Sequence, residues 1–558
     1  MKKTAIFLLC TLIILATPVL ATRQAQTTLL TVLEDNTERG GTATISLRIE
    51  EGNGDIYIDS FPLTRVDTQI SVRFAKQMAC DYTNIDCDSI DFYYKIRSGS
   101  PIVGGPSAGA TMTSLTVALL ENKTVSDDTV MTGTITSGGF IGPVGGIKGK
   151  TDAAVNEGYE RILIPRYGVV EEQGQSTRIY GDEYERDDID VQPVSTLEEV
   201  LQYTIGETPS PPKNITVPQE YKDTMEEVAT QLCQRSDTMI SQVETVQENT
   251  RETREKGTNA LLSENFYSAA SYCFSANIQL RETLLDQQQN VNEDVIRSSV
   301  IEDAQQQLQT VNNQPIETMS DLEASIIVKE RLYEVIEAEN DQNITTGYLV
   351  ERLNSAEAWA NFFNYESQAI TLDEEYLQQA CLSKVAEAEE RVNYVELLLP
   401  FVDFLREELE TAQQIAETED YTYCLFKSSK VKAEANAVLS SSQVAEDRRP
   451  EFLQDKLSVV QKQLAEQDSL PILGYSYYDY ASNLDDTLSA LTFTEYAAEF
   501  SALDMYFPSQ NRRQIDVSGP RIIRETEQLD TNLIYIGIGT GLIIGFIAGT
   551  LVILRREK

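Results

Sequence analysis

The apolar positions of this chain follow two different periods, and the change comes near residue 205. Between residues 22 and 100, short apolar runs alternate with polar positions and are separated by Gly, Asn and Asp, as in residues 28–33 and 42–49. Such runs predict strands. A helix is predicted around residues 68–78, so the first region is expected to have an α+β fold.

The second region, residues 219–510, is rich in Glu, Gln, Ala and Leu, and its apolar residues recur at spacings of three and four. This period predicts a mostly α-helical region, arranged as a bundle or a helical repeat. Segments 266–274, 376–382 and 421–426 each place an aromatic residue before a Cys. They suggest a degenerate hairpin repeat, although ordinary helix packing explains them more simply. Residues 205–218 contain four prolines and are predicted to be a linker.

Two further apolar runs lie near the ends of the chain. Residues 1–21 have two lysines, an apolar stretch and a small-residue cleavage site, which predicts a signal peptide. Residues 533–554 carry no charge and are long enough for a transmembrane helix, which leaves 555–558 as a cytoplasmic tail. Glycines recur at every fourth position of this run, so a homo-oligomer is compatible with it. The predicted protein is single-pass in the cell membrane, with its first region on the extracellular side.

Candidate chemistry begins at Ser107. Gly105 and Pro106 predict a tight turn that delivers this serine to the first turn of a helix. The surrounding backbone of Gly105, Pro106 and Ala108, together with the helix dipole, would stabilise a developing oxyanion. The position therefore suits a nucleophile, although a serine after a Gly-Pro turn is also a common helix N-cap.

The base that such a nucleophile needs cannot be histidine, because the 558 residues contain none. A lysine can take the serine proton if burial lowers its pKa enough. Lys148 is the predicted base, since residues 142–147 before it form a loop of small or apolar residues without an acid. The next helix is predicted near residues 151–157. The alternative for Lys148 is an ordinary surface lysine.

Three segments in this order resemble the proteolytic domain of Lon proteases, which are serine peptidases with a Ser–Lys dyad. They are residues 105–109 around the serine, residues 131–133 (Met-Thr-Gly), and residues 144–150 around the lysine. The resemblance covers roughly residues 55–204. It runs through residues 161–165, predicted as a strand, to residues 194–200, predicted as the end of a strand that enters a helix. It implies an α+β Lon-type proteolytic domain over residues 22–204, in which Ser107 attacks, Lys148 is the base and Thr132 hydrogen-bonds the lysine.

No ATPase module is predicted for this chain. Gly149, Lys150 and Thr151 look like the end of a phosphate-binding loop, but that motif needs a glycine where this chain has Val144. Any peptidase activity is therefore expected to be independent of ATP.

Charge and cysteine content narrow the partners. A formal net charge of −43 argues against nucleic acid. No metal site and no cofactor are predicted, since the chain lacks histidine and a zinc-binding cysteine pattern.

Six cysteines follow residue 21. In an oxidising compartment Cys80 and Cys87 are expected to form a disulfide, whereas the other four are either further disulfides or buried thiols.

The sequence thus predicts an exported, membrane-anchored serine endopeptidase that cleaves peptides or loosely folded proteins. One alternative is an inactive Lon-like scaffold or adaptor whose helical region binds protein partners. Another is a protein that cuts only itself, near the 205–218 linker.

Overall fold

The computed structural model describes residues 23–517, apart from 34–35, 104, 171–178, 212, 289–291, 342, 366, 368–371, 400 and 509–511. The predicted signal peptide (1–21), transmembrane helix (533–554) and tail (555–558) lie outside these residues. Within the described part of the chain, no helix is both long and apolar enough to cross a membrane.

The first region contains strands and helices, as the α+β prediction required. Its strands are β1 (Arg23–Leu33), β2 (Asn36–Glu51), β3 (Ile56–Thr64), β4 (Ile90–Val103), β5 (Thr129–Met131), β6 (Thr134–Ile135), β7 (Ile141–Gly142), β8 (Arg161–Pro165), β9 (Val169–Val170), β10 (Ile179–Tyr180) and β11 (Asp190–Val194). Its helices are α1 (Val66–Thr83), α2 (Gly109–Leu120), α3 (Ile147–Glu157) and α4 (Leu197–Ile205).

Two sheets organise this region. The larger has the order β1-β2-β4-β3, with β1/β2 and β2/β4 antiparallel and β3/β4 parallel. The smaller is parallel, with the order β11-β8-β5, and β6/β7 and β9/β10 form short antiparallel pairs. The apolar residues of the larger sheet form one core with α1 and α2, including Leu47, Val72, Phe92, Met112 and Leu115.

Helix α2 follows the predicted nucleophile and is buried along its whole length. Its apolar residues Met112, Leu115 and Leu119 have helical spacing and lie in the core, but the polar residues between them are buried as well. The hydroxyls of Thr113 and Thr116 donate hydrogen bonds to backbone carbonyls one turn earlier, at distances of 2.9 and 2.7 Å. These bonds allow a polar-looking helix to occupy the centre of the domain.

The second region is helical, as predicted. Its helices are α5 (Gln219–Ile240), α6 (Glu248–Leu262), α7 (Phe266–Gln287), α8 (Glu293–Asn312), α9 (Met319–Glu337), α10 (Thr346–Trp359), α11 (Glu374–Leu398), α12 (Asp403–Glu417), α13 (Tyr421–Gln443), α14 (Arg449–Glu466), α15 (Ile472–Asn483) and α16 (Thr487–Phe500). A common core joins most of them around Trp359 and Phe362.

The six cysteines lie in three pairs at disulfide distance. Cys80 and Cys87 are paired as expected, and the other pairs are Cys233–Cys273 and Cys381–Cys424. Each of the last two joins helices that are second neighbours along the chain, α5 with α7 and α11 with α13. The Cys-containing segments 376–382 and 421–426 are therefore partners of each other.

The chain returns to the first region after its helices. The N–H of Arg513 donates to the Asn84 carbonyl (2.8 Å), and the Arg513 carbonyl accepts from the Asp86 N–H (2.9 Å). On the neighbouring strand β1, Arg23 donates from Nη2 to the Asp516 carbonyl (2.6 Å) and from Nη1 to the Leu119 carbonyl at the end of α2 (3.0 Å). The beginning and the end of the described chain are thus held against one another.

Candidate active site

Ser107 lies in a single 3₁₀ turn, Pro106–Ala108, that leads directly into α2. Gly105 precedes the turn with a φ of 106°, a conformation that favours glycine. The serine side chain is half-buried, so it is open to solvent on one side. The predicted turn and the helix after it are therefore both present.

The backbone around Ser107 can supply oxyanion donors, with one correction. Pro106 has no N–H and cannot donate, so its contribution is to fix φ at the first position of the turn. The N–H groups of Ser107 and Ala108 lie in the first turn, where intrahelical partners are lacking. They are the groups available to a developing negative charge.

Lys148 does not have the environment that was predicted for it. Its side chain is 38% exposed, and its Nζ pairs with Asp152 Oδ2 at 3.5 Å, one helical turn away. The prediction placed Lys148 in a loop before a helix beginning at residue 151, whereas α3 begins at Ile147 after Gly146 in the left-handed conformation. Because α3 includes Lys148, the residue faces outward and pairs with an acid one turn later on the same helix.

Lys150 has the environment expected of the base. Its side chain is 2% exposed, and burial lowers the pKa of its amine to about 7. Its Nζ donates a 3.1 Å hydrogen bond to Thr132 Oγ1. Because no carboxylate of the described residues lies at ion-pair distance from it, a large fraction of this amine is neutral near pH 7.

The sequence contains a pattern that indicates the burial of Lys150. Ile147 and Ala154 are fully buried in α3, and Lys150 lies between them at helical spacing. If the predicted helix had begun directly after Gly145 and Gly146, the helical spacing of the apolar residues would have placed Lys150, and not Lys148, on its buried face.

Thr132 connects the lysine to the serine turn. It accepts from Lys150 Nζ, and its hydroxyl donates to the Ser107 carbonyl at 3.3 Å. The next residue, Gly133, donates its N–H to the same carbonyl at 2.9 Å and accepts from the Ala110 N–H at 3.2 Å. Thr132 therefore contacts a lysine as predicted, but the lysine is Lys150.

No group of three His, Cys, Asp or Glu side chains in the described chain is arranged to hold a metal ion. The chemistry that the site can offer comes from its own groups. These are a partly open hydroxyl, an amine that is neutral in part near pH 7, a threonine that orients this amine, and backbone N–H groups at a helix start. Together they are the parts of a serine acyl-transfer centre.

Comparison with known proteins agrees with this chemistry. Residues 52–207 match the family of the Lon protease (S16) C-terminal proteolytic domain. The Lon protease of Fervidobacterium nodosum is 30% identical over 174 residues, which are 31% of this chain and 21% of the relative. Lon protease 2 of Borreliella burgdorferi is 34% identical over 116 residues, 21% of this chain and 14% of the relative.

A third relative, the Lon protease of Phenylobacterium zucineum, is 44% identical over 75 residues, 13% of this chain and 10% of that protein. The chain thus spans only about a tenth to a fifth of the length of these relatives. The matches support a serine peptidase domain in the first region, and the family match does not extend into the helical region.

Proposed function

We propose that this protein is a serine endopeptidase with a Ser107–Lys150 dyad, acting without ATP on peptides or loosely folded proteins. The observation that carries the proposal is the buried, uncompensated amine of Lys150, which is linked through Thr132 to the main chain of Ser107. An amine that is partly neutral near pH 7 can serve as a general base, which a charged surface lysine cannot.

In the proposed reaction, Ser107 Oγ attacks the scissile carbonyl carbon while Lys150 Nζ accepts the hydroxyl proton. The N–H groups of Ser107 and Ala108 stabilise the resulting oxyanion. Lys150 then passes the proton to the leaving amine, and the carbon–nitrogen bond breaks to leave an ester on Ser107. A water molecule attacks this ester, gives its proton to Lys150, and Ser107 recovers a proton as the acid product leaves.

The test is cleavage of an unfolded protein by the purified full chain without nucleotide. We expect cleavage by the natural protein and a loss of at least about 10³-fold in Ser107→Ala, because the nucleophile is removed. Ser298→Ala, an exposed serine on α8, is the matched control and should cleave normally. Cleavage that survives Ser107→Ala, or that never occurs, would favour the scaffold alternative.

We further propose that the protein is exported and anchored in the cell membrane with this site outside. Support comes from the sequence of residues 1–21 and 533–554 and from three cysteine pairs at disulfide distance, which suit an oxidising compartment. A chain ending at residue 517 should then be released from the membrane fraction that retains the full chain. Equal distribution of both chains would contradict the anchor.

A further inference from the structure

Helix α11 of the helical region lies against the first region, residues 22–204, which carries the proposed catalytic site and is called the catalytic domain below. Three residues on neighbouring turns of α11 make the contact. Ser71 on α1 donates its hydroxyl to the Glu390 carboxyl. Arg391 Nη2 donates to the carbonyl of Ile135 on β6 at 3.4 Å, and the Gly145 N–H donates to the hydroxyl oxygen of Tyr394. One helix thus contacts α1, β6 and the loop before α3.

Two of the three contacted elements, α1 and β6, pack against the serine turn. Ile135 is two residues beyond Gly133, whose N–H binds the Ser107 carbonyl. A Cβ added to Gly109 would lie 3.2 Å from Ile135 Cγ2, so the Ile135 side chain packs on the start of α2. Gly145 belongs to the loop that leads into α3 and Lys150. The side chain of Arg391 therefore contacts β6, the short strand that directly follows Thr132 and Gly133.

Arg391 is incompletely satisfied there. Its side chain is 2% exposed, and its Nε and Nη1 have no hydrogen-bond partner among the described residues. Its one recorded bond, to the Ile135 carbonyl, is long. The adjacent Glu390 carboxyl is engaged by Ser71, and burial raises its pKa to about 7 against the pull of Arg391.

Two other buried arginines of the described chain, unlike Arg391, bind a carboxylate directly. Arg331 and Arg352 both bind the carboxylate of Glu330, at 2.9 and 3.0 Å. A buried guanidinium without such a partner costs stability, because it loses water and gains no carboxylate in return. The natural partner of the Arg391 donors is an anion with planar oxygens.

We propose that Arg391 binds a carboxylate of the peptide substrate beside Ser107 and so makes the helical region part of the substrate site. The carboxylate comes either from an acidic side chain near the cleaved bond or from the C-terminus of the substrate. The inference rests on the peptidase function proposed above and adds a specificity-determining residue to it.

The test uses three series of matched fluorogenic peptides with the full chain. One series carries a single Glu, moved one position at a time around the cleaved bond, and has an amidated C-terminus. The second has Gln in its place with the same amide, and the third has Gln and a free C-terminal carboxylate. Preference for the first or the third series over the second identifies the source of the carboxylate.

We expect the natural protein to prefer one carboxylate-bearing series through a lower KM, on the order of ten- to hundredfold, the range for a charge-assisted hydrogen bond. Arg391→Gln should lose this preference while it still cleaves the uncharged series, and Arg391→Lys should retain part of it. Arg406→Gln, which removes an ion pair with Glu396 at the exposed end of α11, is the matched control and should keep the preference.

Two outcomes would overturn the inference while the peptidase proposal survives. One is cleavage of all three series with equal KM by the natural protein. The other is a loss in Arg391→Gln that affects all series equally, together with a lower melting temperature, which indicates a purely structural role. Binding of the same peptides to Ser107→Ala protein, followed by fluorescence anisotropy, reads the preference independently of any cleavage.

Discussion

Two fully buried lysines, Lys150 in the catalytic domain and Lys384 in the helical region, have opposite properties. Lys150 is buried with only the Thr132 hydroxyl as a recorded partner, and its pKa falls to about 7. Lys384 Nζ lies 2.6 Å from Glu499 Oε2 and 3.5 Å from Glu387 Oε2. Burial alone would lower the pKa of Lys384, but these carboxylates more than offset it and raise that pKa above its ordinary value.

When two lysines are equally buried in this protein, the presence or absence of a carboxylate partner decides whether the pKa of the amine rises or falls. The pKa of Glu499 shifts in the opposite direction to that of Lys384. Burial alone would raise the pKa of this carboxyl, but Lys384 and Lys432 hold it at about 2. The pair is fixed in its charged form and serves to join α11, α13 and α16. Lys150 lacks such a partner and can change its protonation state, as a base must.

The largest change in cleavage rate should come from replacing Lys150, whose amine has no carboxylate partner among the described residues. Lys150→Met keeps the length of the side chain but has no base, so cleavage should fall by about 10²–10⁴-fold, the usual contribution of general base catalysis. Lys148→Met, two residues away, removes only an exposed ion pair and should leave cleavage unchanged. Initial rates with one peptide substrate compare the two variants. A loss in Lys148→Met with normal rates in Lys150→Met would reverse the assignment.

A smaller effect, on the free energy of unfolding, is expected at Lys384 and Lys432, the buried lysines that are paired with carboxylates. Glu499→Gln removes one of the two carboxylates that Lys384 and Lys432 share and leaves only Glu387, and breaking a buried ion pair in this way costs about 3–5 kcal/mol of unfolding free energy. Lys150→Met should cost less than about 1 kcal/mol, because a side chain of similar shape replaces an amine with one recorded hydrogen bond. Urea unfolding of both variants checks this, and equal losses would contradict the comparison.

The smallest expected effect is the dependence of cleavage on pH. An amine with a pKa near 7 is about one-tenth neutral at pH 6 and mostly neutral at pH 8, so kcat/KM should rise about tenfold between these values and then level off. The sign is fixed, because only the neutral amine accepts the serine proton. A profile that falls with rising pH, or one that is flat from pH 6 to 8, would exclude Lys150 as the base.

Local sequence patterns were sufficient to predict many structural elements of the catalytic domain. The turn at Ser107, the strand Arg161–Pro165 and the helix start after residue 196 follow from neighbours in sequence. At that helix start, Thr196 and Glu199 form the reciprocal hydrogen bonds of a capping box. The fold class, the turn that carries Ser107 and the pairing of Cys80 with Cys87 were therefore predictable from the sequence.

The buried position of Lys150 was missed for an equally local reason. Placing the start of α3 four residues too late moved Lys148 into a loop and hid the acid one turn after it. Helix boundaries are the least certain part of a pattern-based prediction, and here an error of one turn exchanged two lysines.

The contact of α11 with the site could not be predicted at all. Arg391 and Ile135 are far apart in sequence, and nothing in the period of α11 distinguishes the face that meets β6 from the face that meets other helices. Such pairings depend on the packing of whole elements, which a single sequence does not specify.

The return of the chain to the catalytic domain bears on any self-cleavage. Residues 512–517 are held by Asn84, Asp86 and Arg23, so the helical region is attached to the catalytic domain at both of its ends. A nick between residues 206 and 218 would open the polypeptide without freeing either fragment, and the product would still migrate as one particle under native conditions. Shedding of the helical region would require a second scission, before the returning segment.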